Sequence, residues 1–350
     1  MGDNVNPLLA PALRPGDVIA VVSPAWGGVG ELPAATGRGV AVLEGLGYKV
    51  RVMPHAAGRS QWEWVSGSAE ERAEDLLAAF ADPEVRGIVC GIGGDHSAQL
   101  LPLLDMDLIA ANPTVFCGYS DITSLHHGIH RATGLVTFYG PALIPQWGAV
   151  GGPFGYTVDH FQAVAGRAEA AGALPRADVE VHDGDFDAAE ATGTPLRRSP
   201  SRPREVLRAG RGTGPLLAAC LPSARHLLGT PWQPDYRGRV LVLETPEPPY
   251  DLAQADADLT HLRNAGGLDS LAALVLCRPY RFTAADTDRL HQLVLEHVAG
   301  HDYPVLARVE GGHTDPLPTF PLGVRSTVDG DELLFEEPAV VTGGPGPGGS

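Results

Sequence analysis

The chain has no apolar run close to the roughly 18 residues that a membrane-spanning helix needs, so we expect no transmembrane segment. Basic residues are also scarce: 25 Lys and Arg stand against 42 Asp and Glu, which gives a formal net charge of −17. A field of this sign repels nucleic acid and anionic membranes, and we expect neither as a partner. The four cysteines form no C-x-x-C pair and lie in apolar segments, which predicts reduced, buried thiols.

The start of the chain lacks the basic region and long apolar stretch of a secretory signal, so we expect a cytoplasmic protein. With 44% hydrophobic and 19% charged residues, the composition is that of a globular protein. A length of 350 residues exceeds one ordinary domain and suits two, each with its own core.

Residues 1–165 alternate between patterns of buried strands and amphipathic helices. The predicted strands are 18–22, 48–52, 87–90 and 113–117, with helical spacing in 34–46, 69–80 and 121–131. A series of this kind predicts an α/β domain with a parallel sheet and helices on both of its faces.

The rest of the chain divides into three parts. Residues 166–213 are rich in Gly, Pro, Ala and Arg with faint periodicity, and we expect a crossover with a mobile insertion there. Residues 214–340 predict a smaller, β-rich domain with strands at 240–244 and 271–276. In residues 341–350, all but the first two and the last are Gly or Pro, and this composition predicts a disordered tail.

Ser120 follows the predicted strand 113–117 and precedes a helix, in the segment Gly118-Tyr119-Ser120-Asp121-Ile122. A serine at the carboxyl end of a parallel strand lies where open α/β sheets bind ligands. The first amides of the following helix would face an anion at this place. The segment is not the G-x-S-x-G elbow of hydrolases, because position 122 is Ile, and an N-cap serine would give the same short pattern.

A serine nucleophile needs a base and a carboxylate that orients the base. Glu244 ends a strongly apolar strand, and His313 lies in the Gly-rich loop Glu310–Asp315. Other histidines compete for the role of base, namely His96, His126, His127 and His130. The spacing of His126 and His130 is that of a metal-binding face, but no third ligand accompanies it, and we expect no metal or other cofactor.

The loop Gly91-Ile92-Gly93-Gly94-Asp95-His96 follows the predicted strand 87–90. Its small residues let backbone N–H groups approach a ligand closely. The loop is therefore either a phosphate cradle or one half of an oxyanion hole, although no complete phosphate-binding motif is present.

Taken together and in order, these segments resemble the serine peptidase family of the LD-carboxypeptidases and the microcin C immunity peptidases. The resemblance covers most of the chain. It is carried by Ser23-Pro24-Ala25, Gly93-Gly94, Leu100–Asp105, Gly118–Thr123, Tyr139-Gly140-Pro141, Leu228-Gly229-Thr230, Leu243-Glu244, and Gly312-His313 followed by Pro321-Leu322-Gly323.

The resemblance implies an amidotransferase-like α/β domain, a smaller β-rich domain and a homodimer. It also implies a catalytic triad of Ser120, Glu244 and His313, with the amides of Gly94 and Asp121 as the oxyanion hole. We further expect Gly93, Tyr119 and Arg325 to contact the substrate, with Arg325 gripping a carboxylate.

The implied reaction is cleavage of an amide bond in a small peptide-like or aminoacyl-nucleotide-like substrate through an acyl-serine intermediate, as in antibiotic self-immunity. The alternatives are murein LD-carboxypeptidase activity in wall recycling, a biosynthetic acyltransferase with the same triad, and a binding protein that has lost catalysis.

The length of the chain is similar to that of the microcin immunity branch, but two features of the sequence depart from that branch. The predicted insertion contains no tryptophan, whereas members of that branch stack an insertion tryptophan on a nucleobase. The segment that usually reads Gly-Gly-Asn-Leu is Ala218-Ala219-Cys220-Leu221 here.

Overall fold

A computed structural model describes residues 7–181 and 183–343 of the protein. Residues 1–6, on which the cytoplasmic prediction depends, and residues 344–350 of the predicted disordered tail lie outside the described residues. The start of that predicted tail is ordered, because residue 341 ends a short strand. No helix in the described ranges is long and apolar enough to cross a membrane.

The first part of the chain folds as alternating strands and helices. Its elements are β1 (Ala10–Pro11), β2 (Val18–Val22), α1 (Gly28–Glu31), α2 (Pro33–Gly45), β3 (Lys49–Val52), α3 (Ala69–Ala81), β4 (Val85–Cys90), α4 (Met106–Ala111), β5 (Val115–Gly118), α5 (Thr123–Thr133), β6 (Phe138–Tyr139) and α6 (Gly155–Ala165). A 3-10 helix at Ser97–Leu103, a 3-10 turn at Ser120–Ile122 and a π-helical turn at Leu143–Trp147 complete this part.

The middle and last parts contribute all eight strands of the second sheet. Their elements are β7 (Ala170–Ala173), β8 (Val179–Glu180), α7 (Phe186–Thr192), β9 (Ser199–Pro200), β10 (Glu205–Arg208), β11 (Arg211–Cys220), α8 (Leu221–Arg225), β12 (Val240–Glu244), α9 (Leu252–Asn264), β13 (Ala273–Cys277), α10 (Ala284–His297), β14 (Val305–Val309), β15 (Phe320–Pro321), β16 (Arg325–Asp329), β17 (Glu332–Pro338) and β18 (Val340–Val341).

The first sheet has the strand order β15-β6-β5-β4-β2-β3 and is parallel except for β15. Successive residues of β2 point to opposite faces, as the two-residue period of a strand requires. Ile19 and Val21 belong to one buried cluster together with residues of α2 and α6, whereas Ala20 and Val22 belong to a second cluster with residues of α3 and α5. The predicted parallel sheet with helices on both faces is thus confirmed.

The second sheet has the order β10-β14-β13-β12-β11-β16-β17-β7. Its centre, β11 to β14, is parallel, and the outer strands are antiparallel. The prediction of a sheet-rich C-terminal region is confirmed, and the carboxyl end of β12 brings Glu244 to the edge that faces the first sheet's Ser120 turn.

Residues 166–213 contain secondary structure that their faint periodicity did not predict. β7 and β10 form the two edges of the eight-stranded sheet, and α7 begins with Asp185 accepting a hydrogen bond from the Ala188 amide at 2.9 Å. In the other direction, β15 from the last part pairs with β6 of the first sheet. The last part of the chain therefore contributes one strand to the first sheet. The limits 1–165, 166–213 and 214–340 remain our proposed division of the chain.

Candidate active site

Ser120 lies on a sharp turn between the buried strand β5 and helix α5. Its φ is 63°, in the left-handed region, which for a residue other than glycine costs on the order of 1–3 kcal/mol. The loop after β4 makes room for this turn, because a Cβ on Gly93 would lie 2.9 Å from the Ser120 Cβ atom. The strained turn holds the hydroxyl at the carboxyl end of the first sheet.

His313 lies between Ser120 and Glu244. Its Nε2 atom is 3.1 Å from Ser120 Oγ, and its Nδ1 atom is 2.8 Å from Glu244 Oε2. The loop that carries His313 can approach β12 this closely only because Gly312 precedes it: φ of Gly312 is 75°, and a Cβ there would lie 2.8 Å from that of Glu244. Sequence-separated residues thus form a Ser–His–Glu chain of hydrogen bonds.

Tyr139, at the end of β6, closes this chain into a ring. Its hydroxyl donates to Glu244 Oε1 at 2.6 Å and accepts from the Ser120 amide at 3.1 Å. Burial and the neighbouring Glu244 raise the pKa of Tyr139, so the phenol keeps its proton and remains a donor. Sequence analysis assigned no role to Tyr139, although it stands in one of the segments that carried the family resemblance.

A second carboxylate contacts His313. Glu247 Oε2 lies 3.0 Å from Nε2, the same atom that faces Ser120. Burial alone would lower the pKa of His313, but Glu244 and Glu247 together outweigh burial and raise it to about 10. The two carboxylates therefore favour the protonated imidazole in this arrangement.

The two amides that the resemblance assigned to an oxyanion hole are available as donors. Within the described residues, neither the Gly94 nor the Asp121 N–H donates a hydrogen bond. The Asp121 side chain is buried and accepts from the Ser97 amide at 2.8 Å, while the Ser97 hydroxyl donates to the Asp121 carbonyl at 2.7 Å. These contacts fix the backbone on which the Asp121 amide lies.

Buried Arg72 of α3 joins the loops around the site, and sequence analysis missed it. Its guanidinium donates to the carbonyls of Pro24 at 2.6 Å and His96 at 3.3 Å and to Gln99 Oε1 at 2.5 Å. The sequence offered no signal, because a single arginine on an amphipathic helix normally faces solvent.

A cavity of about 580 Å³ opens in front of Ser120. Aromatic side chains line one part of it. Trp64 is half exposed, its ring is stacked on that of Trp62 at 5.2 Å between centroids, and the His96 ring lies 6.2 Å from it. Carboxylates line much of the remainder, namely Asp95, Asp185, Asp187, Glu247 and Asp315.

Most of the predicted site residues lie at this cavity. Gly93, Gly94, Tyr119, Ser120 and His313 line it, and Tyr119 packs its ring 5.1 Å from that of His313. Glu244 lies behind His313, and Asp121 lies behind Ser120.

Arg325 is elsewhere, and its predicted contact with the substrate is wrong. It lies at the start of β16, is exposed, and pairs with Glu336 at 3.0 Å on the neighbouring strand. Among the described residues, Arg281 is the arginine that lines the cavity.

The other candidate bases on α5 are structural. His126, His127 and His130 are buried or nearly so, each with one ring nitrogen hydrogen-bonded to a backbone carbonyl, and burial lowers the pKa of all three. The four cysteines are free and buried, as predicted.

One group of side chains among the described residues has the spacing of metal ligands. Ligand atoms of Cys220, Glu244 and His313 lie within 4.8 Å of one another. The donors fit a metal poorly, because the facing atoms of Glu244 and His313 are already joined by a hydrogen bond and burial keeps the Cys220 thiol protonated by raising its pKa.

A serine on a strained turn, a histidine on its hydroxyl and a buried glutamate behind the histidine define a serine-hydrolase architecture. Residues 19–140 match the LD-carboxypeptidase N-terminal domain, and residues 213–328 match the LD-carboxypeptidase C-terminal domain. The chain belongs to the LD-carboxypeptidase family and is an enzyme of the hydrolase class.

Two named relatives match nearly the whole chain. The microcin C7 self-immunity protein MccF of Escherichia coli is 30% identical over 93% of this chain and 94% of its own. The murein tetrapeptide carboxypeptidase of Pseudomonas aeruginosa is 27% identical over 91% and 94%.

Solved structures agree with the fold. MccF bound to aspartyl sulfamoyl adenosine superposes with a TM-score of 0.86 at 28% identity, covering 95% of this chain and all of that one. An MccF-like protein from Streptococcus pneumoniae in complex with AMP gives 0.79 at 25% identity, covering 92% and 99%.

Proposed function

We propose that this protein is a serine amidase or carboxypeptidase in which Ser120 is the nucleophile, His313 the general base and Glu244 the carboxylate that orients His313. The observation that carries the proposal is the continuous path of hydrogen bonds from Ser120 Oγ through both nitrogens of His313 to Glu244, at 3.1 and 2.8 Å. It opens onto the cavity in front of Ser120.

In the proposed reaction, Ser120 Oγ attacks an amide carbonyl while neutral His313 accepts the hydroxyl proton at Nε2. The Gly94 and Asp121 amides donate to the oxyanion of the tetrahedral intermediate, a contribution of roughly 3–4 kcal/mol per donor in related chemistry. His313 then gives its proton to the leaving amine, and water hydrolyses the acyl-serine ester by the same route.

The leading substrate class is a small peptide, as in the relatives named as carboxypeptidases. Aminoacyl nucleotides are the second candidate, because Trp64, which lines the cavity and stacks on Trp62, offers an aromatic ring of the kind that binds a base. This pair would take the place of the tryptophan that residues 166–213 lack. A murein tetrapeptide and aspartyl sulfamoyl adenosine, each analysed for cleavage products by mass spectrometry, distinguish the two classes.

The nucleophile is tested with an alkyl fluorophosphonate and intact-protein mass spectrometry. We expect one adduct on the wild type and none on Ser120→Ala. Ser270→Ala is the matched control, because Ser270 is exposed at the opposite, amino-terminal end of β13. An adduct that survives Ser120→Ala would refute the assignment of the nucleophile.

We also propose a cytoplasmic homodimer. The four unpaired, buried cysteines are typical of a reducing compartment, and the family resemblance supports the dimer. Light scattering coupled to size-exclusion chromatography measures the oligomeric state, and a monomeric mass at all concentrations would contradict the dimer.

A further inference from the structure

The Nε2 atom of His313 faces two oxygen atoms at once. Ser120 Oγ lies at 3.1 Å and Glu247 Oε2 at 3.0 Å, while Nδ1 is occupied by Glu244. A neutral imidazole with its proton on Nδ1 would present a lone pair at Nε2 to the lone pairs of the Glu247 carboxylate, which is unfavourable. The two contacts are compatible only with a proton on Nε2.

An imidazolium cannot accept the hydroxyl proton of Ser120, so this arrangement is a resting state. The charged and titratable groups around His313 come from several elements. They are Glu244 of β12, Glu247 after it, Asp315 of the His313 loop, Tyr119 after β5 and Cys220 at the end of β11. Among these, Glu247 alone is at Nε2, and its side chain is 59% exposed, so it is free to turn towards the contents of the cavity.

The cavity is suited to a cation. Among the residues that the structure describes, five carboxylates line it against a single arginine, Arg281. In the described part of the chain no ion pair joins Arg281 to Glu247, whose carboxylate pairs with His313 instead. A positively charged ligand in this cavity would compete with His313 for the Glu247 carboxylate.

We propose that Glu247 selects substrates that carry an ammonium group beside the scissile amide, and that pairing with this group moves the Glu247 carboxylate away from His313. This inference rests on the proposed function and names the substrate class of the same site. Once Glu247 has turned, the imidazolium releases its Nε2 proton to water and keeps the Nδ1 proton that it donates to Glu244. Neutral His313 then accepts the Ser120 proton as Oγ attacks.

The test measures the rate at which Ser120 is labelled by two fluorophosphonates of equal chain length, one neutral and one ending in an ammonium group. Wild type, Glu247→Gln and Glu337→Gln are compared between about pH 6 and about pH 10. Glu337 is an exposed residue of β17 that does not line the cavity, and it controls for the loss of one negative charge.

We expect wild type and Glu337→Gln to react about tenfold faster with the ammonium probe near neutral pH, and Glu247→Gln to show no preference. With the neutral probe, the labelling rate of Glu247→Gln should reach half of its maximum at a lower pH than that of the wild type. Each pH unit of this shift makes labelling at pH 7 about tenfold faster.

The inference is overturned if Ser120 of Glu247→Gln is labelled with the same pH profile and the same probe preference as in the wild type. That outcome would leave the nucleophile assignment intact. Absence of labelling at Ser120 in every variant would instead refute the proposed function. Thermal melting of Glu247→Gln close to that of the wild type establishes that the fold is retained.

Discussion

Replacing Tyr139 with Phe would remove one hydroxyl from the centre of the site and leave the ring in place. That hydroxyl donates to Glu244 Oε1 at 2.6 Å and accepts from the Ser120 amide at 3.1 Å. A hydrogen bond to a charged group contributes about 1.5–3 kcal/mol, and water cannot replace it readily because the Glu244 side chain is 1% exposed. We therefore expect Tyr139→Phe to lower the free energy of unfolding by about 2–3 kcal/mol.

The same change should slow the chemistry. Without the Tyr139 donor, the negative charge of Glu244 is shared with His313 alone, and it raises the pKa of His313 further. A rise of one unit lowers the fraction of neutral imidazole, and hence fluorophosphonate labelling at neutral pH, about tenfold. The Ser120 turn also loses the acceptor for its amide, which acts in the same direction.

Urea denaturation and labelling kinetics of wild type, Tyr139→Phe and Tyr156→Phe measure both effects. Tyr156 is a matched control, because its hydroxyl donates one hydrogen bond, at 2.8 Å to the Pro175 carbonyl, outside the ring of hydrogen bonds around Glu244. A Tyr139→Phe enzyme that labels at the wild-type rate and unfolds within about 0.5 kcal/mol of Tyr156→Phe would refute the reasoning.

Three further outcomes are expected. Gly312→Ala should abolish labelling and destabilise the protein more than Gly330→Ala. Both glycines have a positive φ, but only a Cβ at position 312 would meet Glu244. Equal unfolding curves for the two variants would contradict this expectation. The contribution of His313 to the free energy of unfolding is complete below about pH 6.5 and is lost as the pH rises towards about 10, because the pKa of His313 is raised in the folded protein. The urea midpoint should therefore fall more steeply over that pH range in the wild type than in His313→Asn. Trp64→Ala should weaken binding of adenosine monophosphate about tenfold by calorimetry, and unchanged affinity would exclude stacking on Trp64.

Much of the site could be predicted because its residues stand at ends of strands with a strong local pattern. The apolar run before Ser120 and the helical spacing after it specify a strand–turn–helix, and the apolar run before Glu244 places that carboxylate at a strand end. The role of His313 needed the family resemblance, since the flexibility of a Gly-rich loop does not by itself indicate where the loop goes.

The remaining features depend on tertiary neighbours that no local pattern encodes. β6 has only two residues, and the function of Tyr139 arises because its hydroxyl meets Glu244 across the two sheets. Arg325 follows His313 closely in sequence, but the short strand β15 and the turn after it carry the chain to β16, where Arg325 pairs with Glu336 instead. Nearness in sequence was therefore a poor guide to nearness at the cavity.

The ring of hydrogen bonds couples catalysis to the packing of the two sheets. Ser120 and Tyr139 come from the first sheet, and Glu244 and the His313 loop from the second, so any displacement of one sheet against the other lengthens bonds within the ring. β15 opposes such displacement, because it belongs to the second half of the chain and pairs with β6, with Phe320 opposite Tyr139. A strand from the second half of the chain thus pairs directly with β6, the strand whose Tyr139 joins Ser120 to Glu244, so this pairing and the ring of hydrogen bonds support one another.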